Sequence, residues 1–320
     1  MQQPEGPSPA TGMRSLQVIA NGVTLDVEDH GDPADPPLLL VMGLGMPGVL
    51  WPEGFVAQLV AAGLRVIRYD NRDCGRSTKL PGNRLPNLPL AITRALLRLP
   101  VRAPYTLADM ADDAAALLTA LGIERAHVAG ASMGGMIAQV LAARHPGRVL
   151  SLTSIMSSTG NPSPRVAFGK RRALRAVLDR PRGVVDAEAL VAHHVRVFSV
   201  IGSPGYPSTP QLLRAQLEPV ARRGYHPAGT ARQLLAILAS GDRRRELQRI
   251  SAPTLVIHGR DDPLLPLAAG QDTARHIPGA RLLVIAGMGH DFALALQPQI
   301  AAAIIEHIHA AGSTGGRTAA

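Results

Sequence analysis

The chain reads as an α/β protein: a mostly parallel eight-stranded sheet with helices on both faces and an all-helical insertion after the sixth strand. Three observations carry that reading. Short apolar, β-branched runs alternate with longer segments that are apolar at helical spacing, and such alternation winds a parallel sheet with helices on both faces. Strand patterns vanish between residues 157 and 249, where helical patterns joined by Pro and Gly take over. A glycine–serine turn, Gly130-Ala131-Ser132-Met133-Gly134, joins a short buried strand directly to an apolar helix. The expected core is therefore residues 1–156 with 250–320, and the insertion is 157–249. Residues 1–12, rich in Pro, Gln and Ser and lacking the apolar run of a signal peptide, read as a loose tail, as do residues 312–320.

Residues 15–20 and 23–29 alternate, and Asn21-Gly22 between them is a type I′ hairpin signal. Residues 37–41 are continuously apolar, as in a strand covered on both faces. They run into the glycine-rich loop Met42-Gly43-Leu44-Gly45-Met46-Pro47. Residues 51–62 read as a helix, 64–69 as the next strand and 70–77 as a loop. In the irregular stretch 78–104, residues 90–99 suit a short helix bearing Arg94 and Arg98. It reads as a surface insertion at the rim of the sheet, with an amphipathic membrane-contacting helix as the alternative. Thr106, with Asp109 three positions on, caps a helix through Leu121. The strand at 126–128, the serine turn and the helix at 136–143 follow, then a strand at 149–156. The insertion suits helices over 165–178, 187–200, 211–223 and 230–238, and the core resumes with strands at 252–258 and 281–286 and a helix over 293–309.

Composition narrows the function classes. With one cysteine, Cys74, the chain cannot form an internal disulfide, which leans toward a cytoplasmic location. No run of about 18 apolar residues exists, so no transmembrane segment is expected. Residues 157–249 hold 16 Lys or Arg against 6 Asp or Glu, so the whole +9 excess of the chain lies in the insertion. If the insertion roofs a site, charge of one sign would steer anions toward it. The alternative is solvated helix faces in an arginine-biased composition, since only Lys79 and Lys170 are lysine. No nucleic-acid recognition motif accompanies the arginines, so no nucleic-acid partner is expected. Oligomeric state is not legible.

The chemistry centres on Ser132. A strand that turns abruptly into a helix holds the serine in a strained conformation and pushes its hydroxyl clear of the sheet. Glycines two residues either side let the backbones pass closely. Serine needs a base, and the base needs an orienting acid. His290, in Gly287-Met288-Gly289-His290-Asp291 just past the last strand, is the candidate base; His127 and His258 suit structural roles within or at the end of strands. The acid comes from Gly259-Arg260-Asp261-Asp262-Pro263. Asp262, held extended by the following proline, is favoured over Asp261, which suits a solvated turn. An acid after the 149–156 strand is disfavoured because no carboxylate follows until Asp179. Two N–H donors for an oxyanion would come from Met133, at the head of the helix, and Leu44, in a loop that otherwise reads as a flexible glycine connection. No metal ligand set or cofactor motif is singled out.

Together, Met42-Gly43-Leu44-Gly45, Trp51, residues 66–78, Gly130-Ala131-Ser132-Met133-Gly134-Gly135, Asp262-Pro263 and Gly289-His290 resemble the α/β-hydrolase fold superfamily over residues 15–309. Within it the chain is most similar to aclacinomycin-methylesterase-type hydrolases, with proline iminopeptidases more distant. Many relatives have His-Gly where this chain has Met42-Gly43. The resemblance implies a helical cap over the site, formed by residues 157–249, and a cofactor-free serine hydrolase acting on a small-molecule carboxylic ester, such as a methyl ester of a small or medium apolar metabolite. Relatives that act as haloalkane dehalogenases or epoxide hydrolases carry aspartate at the turn, and Ser132 argues against both. The same residues could serve amide hydrolysis, C–C hydrolysis or peracid formation, or the fold could persist as a non-catalytic binding protein.

Overall fold

Alternate residues of the central strands face two different cores. In the computed structural model, described for residues 12–82, 87–179 and 186–315, one sheet holds eight strands. These are β1 (Arg14–Ala20), β2 (Val23–His30), β3 (Pro37–Val41), β4 (Arg65–Tyr69), β5 (Ala126–Ala131), β6 (Val149–Ile155), β7 (Thr254–Gly259) and β8 (Arg281–Ile285). They lie in the order β1-β2-β4-β3-β5-β6-β7-β8. β2 pairs antiparallel with β1 and β4, and every other pairing is parallel. Leu39, Val41, Ile67 and Val128 point into one core, whereas Leu38, Leu40, Val66 and Ala129 point into the other. That is the two-residue period of a strand buried on both faces.

The flanking helices are α1 (Glu53–Ala61), α2 (Leu88–Leu96), α3 (Leu107–Ala120) and α4 (Met133–Arg144) before the insertion. Within it come α5 (Pro164–Ala167), α6 (Arg171–Leu178), α7 (Ala187–Ile201), α8 (Pro210–Arg222), α9 (Pro227–Ser240) and α10 (Arg244–Leu247), then α11 (Leu267–His276) and α12 (Gln297–Gly315). Thr106 and Asp109 form the capping box expected at the head of α3. One core packs α3 and α4 on the sheet through Leu107, Met110, Ile137 and Leu141; the other packs α1 and α12 through Phe55, Leu59, Ile300 and Ile304. Among the described residues, the segment between β6 and β7 contains helices and no strand, and no helix is long and apolar enough to cross a membrane.

Three differences from the sequence reading have physical causes. The helix expected over 165–178 breaks into α5 and α6, because Gly169 lies against the carbonyls of Pro263 and Leu264, where a Cβ would sit 2.3 and 2.2 Å from oxygen. Helix α11 was not expected. Its buried face is Ala269, Gly270, Asp272 and Thr273, small and polar rather than apolar, so it leaves no hydrophobic period. Helix α12 runs to Gly315, into the stretch read as a tail; Ala310 and Ala311, strong helix formers, continue it past 309, and Ser313 Oγ donates back to the Ala310 carbonyl at 2.9 Å. The rest of that stretch, 316–320, and residues 1–11 of the N-terminal tail lie outside the described residues.

The positive charge of the insertion is partly spent inside the protein. Arg223, just after α8, sets its guanidinium among Asp26 and Glu28 of β2 and Asp70 at the end of β4, with Nη1 3.0 Å from Asp70 Oδ2. Arg232 of α9 grips Asp73 with two bonds of 2.7 Å, and the Tyr105 hydroxyl donates to the same carboxylate at 2.8 Å. Burial alone would raise the Glu28 pKa, but the nearby His30, with Nε2 3.6 Å from its carboxylate, the hydrogen bond from Arg68 and the charges of Arg68 and Arg223 bring it down to about 2. Glu28 therefore stabilises the fold fully above its ordinary value of 4.5, and that contribution is lost as pH falls toward about 2. Arg223→Ala removes the shared guanidinium from three buried carboxylates, leaving Arg68 on Glu28 but, among the described residues, no cation paired with Asp26 or Asp70, and is expected to cost about 3–5 kcal/mol at neutral pH. The deficit should narrow on acidification, as the stranded groups protonate. Urea denaturation of both proteins at pH 7 and pH 4 checks this; a pH-independent loss below about 1 kcal/mol would contradict it.

Candidate active site

Ser132 sits where β5 meets α4, at φ +55° and ψ −119°, a region that residues other than glycine rarely adopt. Strain of this kind amounts to about 1–3 kcal/mol and persists only where surrounding structure enforces it. Here the Ser132 N–H donates to the Ile155 carbonyl at 2.9 Å, and its carbonyl accepts from Ser157 Oγ at 2.8 Å. A Cβ on Gly130 would lie 2.2 Å from the Gly134 carbonyl oxygen, and one on Gly134 would lie 2.0 Å from that of Val41. Nothing larger than hydrogen fits at either position, which is the physical content of the glycine spacing.

The structure brings Ser132, His290 and Asp262 into one hydrogen-bonded line. His290 Nε2 lies 3.0 Å from Ser132 Oγ, and its Nδ1 lies 2.7 Å from Asp262 Oδ2. Asp262 Oδ1 accepts the backbone N–H groups of Leu264 and Leu265 at 2.8 and 2.9 Å, so both carboxylate oxygens have fixed duties. Pro263 favours this tight turn, since it disfavours the helical conformation at Asp262. The backbone N–H of His290 donates to the Ile201 carbonyl at the end of α7, at 2.8 Å, so the insertion also holds the histidine loop. Behind it Phe292 packs on Trp51, with ring centroids 4.7 Å apart. Asp261 is exposed and accepts from the Gly287 N–H at 2.8 Å, apart from His290.

The other histidines singled out by position have partners of their own. His258 is fully buried, its Nε2 2.9 Å from the Leu265 carbonyl and 3.8 Å from Asp262 Oδ2. His127 Nδ1 lies 2.8 Å from Ser151 Oγ, and burial pushes its pKa down to about 4. Asp291, beside His290, is a buried carboxylate whose pKa burial raises; the Ser203 hydroxyl donates to it at 2.5 Å. A cavity of about 380 Å³ opens between α6, α7, α8 and the loops after β7 and β8. Pro263 and Asp291 line it, whereas Ser132 and His290 do not.

Met133 begins α4 and is fully buried, and Leu44 lies half-buried in the loop after β3. That loop runs against the serine: a Cβ on Gly43 would meet Ser132 Cβ at 3.2 Å. Two side chains that sequence reasoning missed hold it. Asn71 Nδ2 donates to the Met42 carbonyl at 2.9 Å, and Gln233 Oε1 accepts the Gly45 N–H at 2.7 Å. Asn71 stands in the 66–78 run that carries the resemblance, though the run's pattern does not point to this bond, and Gln233 stands in an ordinary helical segment with no local signal. Among the described residues no cluster of His, Cys, Asp and Glu could hold a metal ion.

Over residues 36–198 and 214–294 the chain matches the alpha/beta hydrolase fold family. It belongs to that family. Rhodomycin D methylesterase DnrP of Streptomyces peucetius is 32% identical over 320 residues, covering 93% of this chain and 99% of the relative. Rhodomycin D methylesterase DauP of Streptomyces sp. (strain C5) is 33% identical over 317 residues, with the same coverage. Both are methylesterases by name, the type of relative the sequence motifs implied. Among solved structures, the enol-lactonase from Burkholderia xenovorans LB400 superposes with a TM-score of 0.68 at 24% identity, covering 91% of this chain and 98% of that one. At that identity the likeness speaks for the fold.

Proposed function

We propose that this α/β hydrolase is a serine esterase that cleaves a small-molecule carboxylic ester through an acyl-enzyme. The observation that carries the reading is the hydrogen-bonded line from Ser132 through His290 to Asp262. In the first step His290 Nε2 takes the Ser132 proton as Oγ attacks the ester carbonyl, and Asp262 stabilises the imidazolium through Nδ1–H. The N–H groups of Leu44 and Met133 receive the oxyanion, the latter at the positive end of α4. His290 then protonates the leaving alcohol, and a water activated by the same imidazole releases the acid. Each step is proton transfer or acyl transfer, so the chemistry needs no cofactor.

The named relatives, methylesterases that match nearly end to end, favour a methyl ester, and the substrate proposed is that of a small or medium apolar metabolite. Helices α5–α10 serve as the cap, since α7 and α9 contribute bonds to the histidine loop and to the loop bearing Leu44. The reading includes no nucleic-acid partner, and two of the cap's arginines, Arg223 and Arg232, are committed to buried core carboxylates. A cytoplasmic setting fits the buried free thiol of Cys74. The test compares methyl esters with anilides of the same acids. Ester hydrolysis should exceed anilide hydrolysis by orders of magnitude and should stop on stoichiometric fluorophosphonate labelling at Ser132. Preferential anilide cleavage would move the reading to a peptidase, and an unlabelled, inert protein would make it a binding protein.

A further inference from the structure

We propose that Gln233, on the helical insertion, is a positioning residue for the oxyanion-binding loop, so that docking of the insertion and catalytic competence are one event. The proposal rests on the esterase reading above. Gln233 is fully buried on α9 and uses both ends of its amide. Oε1 accepts the Gly45 N–H at 2.7 Å, and Nε2 donates to the Arg72 carbonyl at 2.8 Å. Flipping the amide would set donor against donor and acceptor against acceptor, so its orientation is fixed.

The loop it holds has little freedom left. Asn71 fixes the Met42 carbonyl on one side, and Gln233 fixes the Gly45 N–H on the other. Between them the Gly43 carbonyl accepts from the Met46 N–H at 3.3 Å, closing a turn. The Gly43 carbonyl and the Leu44 N–H share one trans peptide plane and point in opposite directions. Holding the carbonyl therefore aims the Leu44 N–H. Gly45 itself, at φ +67°, packs so closely on Thr230 of α9 that a Cβ would meet its side chain at 2.8 Å. The next residue along from the amide, Arg232, anchors the same helix to Asp73. Helix α9 thus touches the loop through Thr230 and Gln233 and grips the neighbouring 70–73 segment through Arg232. Displacing the insertion takes the partner of Gly45 with it.

The experiment measures kcat, KM and thermal stability of wild type, Gln233→Leu and Gln233→Glu on a matched ester and thionoester. Sulfur is larger and a poorer hydrogen-bond acceptor than oxygen, so a well-formed oxyanion site prefers the ester strongly. Gln233→Leu should lower kcat by about 10–100-fold with KM nearly unchanged, because a misplaced donor is felt mainly in the transition state. The ester-to-thionoester preference should shrink in parallel. Gln233→Glu keeps the acceptor for Gly45 and sets an oxygen against the Arg72 carbonyl, so its loss should be smaller; it also carries the test if the leucine variant does not fold. An unchanged kcat overturns the proposal, as does a fall in kcat and melting temperature at constant ester-to-thionoester preference, which marks a merely structural residue. A wild-type protein without ester hydrolysis or Ser132 labelling instead overturns the esterase reading beneath it.

Discussion

Ser132→Ala is expected to reduce kcat on the best ester by about 10⁶-fold. The hydroxyl is the proposed nucleophile, and without it the pair His290–Asp262 can only assist water from a geometry built for another atom. Residual turnover above the uncatalysed rate should remain, because the proposed oxyanion donors, Leu44 and Met133, are untouched. Stability should hardly move. The hydroxyl bonds to His290, and alanine inherits the same φ of +55° with the same backbone bonds to Ile155 and Ser157. Steady-state kinetics beside a thermal melt separates the two effects. Near wild-type turnover in a preparation freed of contaminating esterase would remove the assignment altogether.

Asp262→Asn is expected to cost about 10⁴-fold in kcat, and Asp261→Asn little. The reason lies in the two backbone donors on Asp262 Oδ1. The N–H groups of Leu264 and Leu265 require an oxygen there, so an asparagine must place its oxygen on that side and turn its NH₂ toward His290 Nδ1. Nδ1 then becomes an acceptor, the ring proton moves to Nε2, and the nitrogen facing Ser132 can no longer take a proton. The carboxylate of Asp261 serves only the Gly287 N–H, a duty an amide oxygen performs as well. Parallel kinetics on the two variants decide it: the reverse ranking would move the acid by one residue, and two mild losses would leave His290 without an essential acid.

What could be read from the sequence was local. The strands declare themselves by apolar runs, and the serine turn by glycines whose necessity is steric. Asp262 could be told from Asp261 because Pro263 acts on the residue directly before it. What could not be read was pairing across distance. Arg223 and Arg232 were visible only as part of a basic segment, suggesting solvated faces or steering. Their carboxylates, Asp26, Glu28, Asp70 and Asp73, lie some 150–200 residues away in the chain. Gln233 is silent for the same reason, since an amide in a helix looks alike whether it faces water or a loop beside the serine. Helix α11 was missed because a buried face of Ala, Gly, Asp and Thr has no apolar rhythm.

The ion pairs of Arg223 and Arg232 bear on how such proteins diversify. Insertions at this point of the fold look like cassettes that a lineage could trade to acquire new substrates. Here the scaffold keeps three buried acids, Asp26, Asp70 and Asp73, whose paired guanidinium comes from the inserted segment, and a fourth, Glu28, that the segment shares with Arg68 of β4. A foreign segment without arginines at the same places would leave those acids facing one another in a dry interior, at a cost comparable to a large part of a domain's total stability. Recombination is thus confined to donors whose acid–base pattern already matches, or to histories in which scaffold and insertion changed together. Anyone building chimaeras from this scaffold would have to transplant the acids with the arginines, or replace both by apolar residues of similar shape.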